Sequence, residues 1–117
     1  MSPDDSDVAH LWDMLETARE ALDYVAHEHE KTYLRDRMRQ RALERTIEVL
    51  GEAAGRVSEA GRRGLPGVDW RRIIGQRIVL AHRYSKIDHA LLYKTTRESV
   101  PALIDQLVAL LETGDSQ

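Results

Sequence analysis

An arginine and a histidine stand five residues apart in the stretch "QRIVLAHRYSKID", residues 76–88, as Arg77 and His82. Their neighbours are mostly apolar. On a helix turning about 100° per residue, with Arg77 at zero, Ile73 and Leu80 lie about 40° and 60° to one side, and Ala81 and Ile74 about 40° and 60° to the other. Arg77 therefore centres an apolar stripe, and His82 lies at its edge, about 140° round. A charge on such a face needs a counter-charge, or a route to water through a cleft or interface. One reading pairs Arg77 with an acid across a helical bundle and leaves His82 as a helix-end residue. The other reading is chemical. Imidazole takes or gives a proton near neutrality. A fixed guanidinium stabilises negative charge developing on a phosphate. Without metal ligands, the pair suits attack by an RNA 2′-hydroxyl on its own adjacent phosphate, a route that needs neither activated water nor a metal ion. One pair is a sparse site. Two copies across a two-fold axis are therefore expected, with the interrupted stripe as their interface.

Other chemistry-bearing residues give weaker signals. His27 and His29 in "HEHEK" have a metal-like spacing. Two apart on a helix they face different ways, and no third ligand is evident, so no metal site is expected. Arg35, Arg37, Arg39, Arg41 and Arg45 crowd "YLRDRMRQRALER". They read as a solvated face with local pairs such as Arg37–Asp36 or Arg41–Glu44, or else as a surface for RNA or an acidic partner. Arg62, Arg63, Arg71 and Arg72 flank the loop before the motif and are better placed to hold RNA, with solvated surface the competing reading for each singly. His89 reads as a surface or helix-start residue, and Trp12 and Trp70 as core or interface anchors. Tyr24, Tyr33 and Tyr93 have no motif beside them, unlike Tyr84.

The elements that must position these residues are all helical. Val8, Leu11, Trp12, Leu15, Ala18, Leu22 and Val25 recur at threes and fours and predict a helix over about 7–29. Asp4, Asp5, Ser6 and Asp7 are its cap candidates. A second helix is expected over about 32–60, where Gly51 and Gly55 would let another helix approach closely. "GRRGLPG", residues 61–67, reads as a loop. A third helix starts near Asp69 and ends near Tyr84. Asp88 caps a short fourth through Tyr93. A last helix carries Val100, Leu103, Ile104, Leu107, Leu110 and Leu111, and Pro101 argues for a break between Lys94 and Val100. The expectation is an all-α antiparallel bundle of four to five helices. It forms one domain over 1–117 with an ordered core at about 8–112.

Composition agrees. At 117 residues the chain supports one hydrophobic core. With 42% hydrophobic and 32% charged residues it is globular rather than disordered. Ala, Leu, Glu and Arg are plentiful and phenylalanine is absent, which favours helix over strand. The absence of cysteine excludes disulfides and thiolate zinc sites. No apolar run is long enough to span a membrane, and "MSPDDSD" is unlike a signal peptide, so a cytoplasmic protein is expected. A net charge of −3 argues against a wholly basic nucleic-acid binder but leaves room for a local basic site.

"RIVLAHRY" also fits R-x4-H-x-Y, and here the chain resembles the HepT-like toxins of the HEPN ribonuclease superfamily. "ALERTIEVLGEAAGRVSE", "GVDWRRIIGQR" and "HRYSKIDHALLYKTTRESVPALIDQLVALL" resemble that family's second helix, its entry to the motif helix and its final helices. The resemblance runs over about residues 8–112. It implies a HEPN-type bundle that dimerises through the motif helix and cuts RNA without a metal ion or other cofactor. Arg77 and His82 would be the catalytic pair, and Arg71, Arg72 and Arg83 candidate RNA contacts. The chain would be the toxin of a type VII-like toxin–antitoxin module. Its partner would be an MNT-type nucleotidyltransferase that transfers AMP to Tyr84. Added bulk and negative charge beside His82 would exclude an RNA phosphate. One position departs from the pattern: the residue after the motif arginine, commonly polar, is Ile78. That departure keeps an alternative open, a catalytically weak HEPN subunit that binds a nucleotidyltransferase.

Overall fold

The computed structural model describes residues 5–82 and 87–113, and for 77–82 and 113 the backbone alone. The helices are α1 (Asp5–Ala26), α2 (Glu30–Tyr33), α3 (Arg37–Arg56), α4 (Glu59–Arg63), α5 (Trp70–His82) and α6 (His89–Val108). α6 runs on into a π-helical turn, Ala109–Thr113. No strand occurs among the described residues, and the expected all-α bundle is what forms. Among the described residues, no helix is long and apolar enough to cross a membrane.

α1 is the centre of the bundle and packs against both α3 and α6, while α5 packs against α3. The predicted α1 stripe does most of the joining. Leu11, Met14, Leu15, Ala18, Ala21 and Val25 are buried, and they meet Leu43, Ile47, Leu50 and Ala54 of α3 and Val100, Leu103 and Leu107 of α6 in one core. Each large aliphatic side chain buried this way contributes about 1.5–3 kcal/mol.

Several boundaries differ from the sequence expectation, each for a local reason. The helix expected over 32–60 is three helices. Asp36 ends the first break by accepting the Arg39 N–H at 3.0 Å as the N-cap of α3. Val57 is extended, and Ser58 then caps α4 by accepting the Gly61 N–H at 3.1 Å. Gly61, Arg62 and Arg63 are thus helical, although a loop was expected there. The expected break between Lys94 and Val100 is absent, because α6 continues through Pro101. Its buried face, Leu92, Tyr93, Thr96, Val100, Leu103 and Leu107, is continuous. Thr96 does not interrupt that face, since its hydroxyl donates to the Leu92 carbonyl at 2.7 Å. Asp88 caps α6 as expected, accepting the Leu91 N–H at 3.0 Å.

Asp7 was a cap candidate, and the structure gives it a longer reach. Its buried carboxylate accepts the backbone N–H and the hydroxyl of Ser58, joining the first turn of α1 to the α3–α4 junction. A Cβ at position 61 would stand 2.5 Å from Asp7 Oδ2, so this approach requires the glycine. Of the two glycines expected to admit a neighbouring helix, Gly51 is buried on α3, the helix that α5 packs against. A Cβ on Gly55 would meet nothing within 4 Å among the described residues, so the expectation does not hold at that position.

Candidate functional site

The helix that carries the Arg77–His82 spacing is held at its start. Asp69 caps α5, accepting the Arg72 N–H at 3.2 Å. Trp70 is half-buried and donates its indole N–H to the Leu65 carbonyl at 3.3 Å. The Arg62 guanidinium lies 5.8 Å from the centre of its ring, and the same side chain donates to the Val57 carbonyl at 3.0 Å. With Leu65 and Val68 buried, these bonds fix the turn that lays α5 on α3. Trp70 is the anchor expected from the sequence. Trp12 is not in the core, being 37% exposed.

Arg77 and His82 both lie on the backbone of α5, as the spacing argument required. Their side chains, and Arg83 and Tyr84 entirely, lie outside the described residues, as does Ile78's side chain. On a regular helix the two Cα atoms would be separated by about 7.5 Å along the axis and about 140° around it. Arg71 and Arg72, about a turn and a half earlier, are exposed.

Beside this helix is a cleft of about 340 Å³ between α5 and α6. Its floor is Ile47, Leu50, Ile73, Val100 and Leu103, and its rim includes Arg72, Gln76, Thr95 and Ser99. One end is closed by Gln106, which donates its amide to the Gly67 carbonyl at 3.3 Å. A Cβ on Gly67 would stand 2.5 Å from Gln106 Oε1, so glycine permits the closure. The sequence reading missed this cleft. The available signal was the polar run Thr95, Ser99 and Gln106 beside the apolar stripe of α6. A shallower hollow lies on the other side of α5, over Gly51, Gly55 and Ile74.

Several of the other weighed residues have structural partners. Arg39, rather than Arg37, pairs with Asp36 at 3.4 Å, and also reaches Glu28 at 3.9 Å. Glu44 pairs with His89, whose Nδ1 lies 3.5 Å from Glu44 Oε2, rather than with Arg41. Burial raises the Glu44 pKa, and His89 and Arg41 offset only part of that rise. His89 is the first residue of α6, as expected, and half-buried. Tyr93 donates its hydroxyl to the Glu28 carbonyl and accepts from Arg97 at 2.8 Å. His27 faces Asp23 at 3.9 Å. Among the described residues no three His, Cys, Asp or Glu side chains form a group that could hold a metal ion.

Comparison with known proteins gives one consistent result. Residues 14–110 match the family model described as Ribonuclease HepT-like. A candidate RNase of Methanocaldococcus jannaschii is 32% identical over 81% of this chain and 87% of its own length. A protein of Thermococcus cleftensis, named as a candidate ribonuclease HepT, is 30% identical over 78% of this chain and 86% of its own length. A candidate RNase of Caldanaerobacter subterraneus is 25% identical over 84% of this chain and 97% of its own length. No solved structure matches.

Proposed function

Since the chain belongs to the Ribonuclease HepT-like family, we propose that it is a metal-independent endoribonuclease in which Arg77 and His82 do the chemistry. The observation that carries the reading is their placement, five residues apart on one helix, within a chain of that family. An imidazole accepts the proton of a 2′-hydroxyl. The freed oxygen attacks the adjacent phosphorus, and the bond from phosphorus to the 5′-oxygen breaks. The products are a 2′,3′-cyclic phosphate and a 5′-hydroxyl, the latter taking its proton from an imidazolium. Arg77 neutralises the charge that builds on the phosphate. Acceptor and donor must stand on opposite sides of the phosphorus, so a homodimer that brings two Arg77–His82 pairs together supplies both roles. Arg71, Arg72 and Arg83 then guide the RNA backbone.

The chain is the toxin of a two-gene module in the cytoplasm. Its nucleotidyltransferase partner transfers AMP from ATP to the Tyr84 hydroxyl, releasing pyrophosphate. The new phosphodiester is two residues from His82 and repels the substrate phosphate.

Incubation of single-stranded RNA with the protein in EDTA tests the reading. The expected result is cleavage by the wild type, reduced at least about 100-fold in His82→Ala and in Arg77→Ala. Cleavage that persists in both variants overturns the catalytic assignment. Ile78 favours a second reading, a binding subunit without catalysis. Wild-type protein that cuts no RNA but binds the nucleotidyltransferase tightly would establish that one. Co-expression with the nucleotidyltransferase and ATP, followed by peptide mass measurement, places AMP on Tyr84 or rules it out.

A further inference from the structure

We infer that the cleft between α5 and α6 seats one unpaired base of the RNA strand being cut. This rests on the ribonuclease reading above and adds a subsite to it. The first argument is position. Gln76 stands on the cleft rim and is the residue immediately before Arg77. A base in the cleft is therefore a near neighbour of a phosphate held by the Arg77–His82 pair. The second argument is size. At about 340 Å³, the cleft sits at the small end of the roughly 300–1,000 Å³ that ligand pockets occupy. That is ample room for one base, which fits the way RNA sequence is read, from unstacked bases in single strands.

The third argument is chemistry. The floor is aliphatic and suits the flat, weakly hydrated face of a base. The rim carries the Gln76 amide and the Thr95 and Ser99 hydroxyls, which can both donate to and accept from a base edge. The charged groups on the rim discriminate between the parts of a nucleotide. Among the described lining residues, Asp69 and Glu98 set two carboxylates against the guanidinium of Arg72. That balance disfavours a phosphate at this part of the rim and leaves a neutral base unaffected. The sugar–phosphate backbone consequently stays outside, where Arg71 and Arg72 are exposed. A peptide helix or a second copy of the chain would need a longer groove than one that Gln106 closes at Gly67.

The test is a scan with single-stranded RNA in which one nucleotide at a time is made abasic. At one position flanking the cut, loss of the base should raise KM about ten-fold or more, the scale of one base contact. There kcat should stay within about three-fold, the signature of lost ground-state binding. Ala102→Trp, at an exposed position of α6 on the cleft wall, fills the cleft with little risk to folding. It should raise KM for intact RNA by the same factor and add nothing on the abasic RNA, because both changes remove one contact. An unchanged KM for Ala102→Trp, or a penalty that adds to the abasic one, overturns the inference. If the wild type cuts no RNA, the function proposed above fails on its own. The same abasic series read by fluorescence anisotropy then decides the cleft: an affinity loss at one position that Ala102→Trp erases sustains it, and uniform affinity refutes it.

Discussion

The Tyr33 phenol has no hydrogen-bond partner among the described residues. The side chain is fully buried, and its ring centre is 5.1 Å from that of Tyr93. Burial pushes its pKa up, and the carboxylates of Glu44 and Asp36 push it further. The proton therefore stays on, and what matters is the unmet donor. Leaving a buried polar group unsatisfied costs about 1–3 kcal/mol. Tyr33→Phe keeps the ring and its packing and removes the unmet group. We expect it to stabilise the fold by about 1 kcal/mol in urea unfolding. A loss of stability instead would mean that the hydroxyl has a partner in solution. The sequence places no motif beside this tyrosine, so it gave no sign that the hydroxyl would be left without a partner.

The same limit governs the elements. The α1 stripe and the Asp69 and Asp88 caps were legible because each is a local pattern read within one turn or two. Asp36 and Ser58 were equally visible as cap residues. They were overridden by apolar residues that carry on through both breaks, since Tyr33 of α2, the buried face of α3 and Val57 at the second break join the same core. Pro101 misled in the opposite sense. A proline inside a helix removes one hydrogen bond and costs about 3 kcal/mol. α6 tolerates that cost because Val100, Leu103 and Leu107 must reach the core on one continuous face. Pro101→Ala restores the missing N–H but loosens the unfolded chain. The net expectation is stabilisation of about 1–2 kcal/mol, seen as a higher thermal midpoint with helical content kept. A lower midpoint would show that the surrounding packing is built around the proline.

At the scale of the molecule, the cleft lies between α5 and α6 over a floor that α3 helps to form, and no periodicity within any one of them announces it. The motif was legible as spacing on a helix, and the family resemblance supplied the roles that spacing alone leaves open. Long-range contacts were equally hidden, as Glu44 and His89 illustrate, the imidazole at the start of α6 lying 3.5 Å from the α3 carboxylate. The Glu44 pKa is raised chiefly by burial. A carboxyl whose folded pKa exceeds its unfolded one holds its proton more tightly when folded. Its favourable contribution is full below the unfolded value and is lost as pH rises through the folded one. Glu44→Gln has no such loss. Its thermal midpoint, measured against the wild type from acid to neutral pH, should therefore gain on the wild type as pH rises through the carboxylate range. A variant that falls behind instead would show that the attraction to His89 outweighs the cost of burial.

The clasp of Asp7 on Ser58 has a consequence for how this sequence can drift. Position 61 sits under the Asp7 carboxylate, with room for a hydrogen and not for a methyl group. A side chain at 61 arriving first would push the carboxylate off Ser58 and loosen the turn that leads to α5. A shorter residue at 7 arriving first removes one of the two side chains that fill this space and leaves Val57, whose Cγ1 would stand 2.8 Å from a Cβ at 61. The order of changes therefore matters: position 61 can move only after both 7 and 57 have made room.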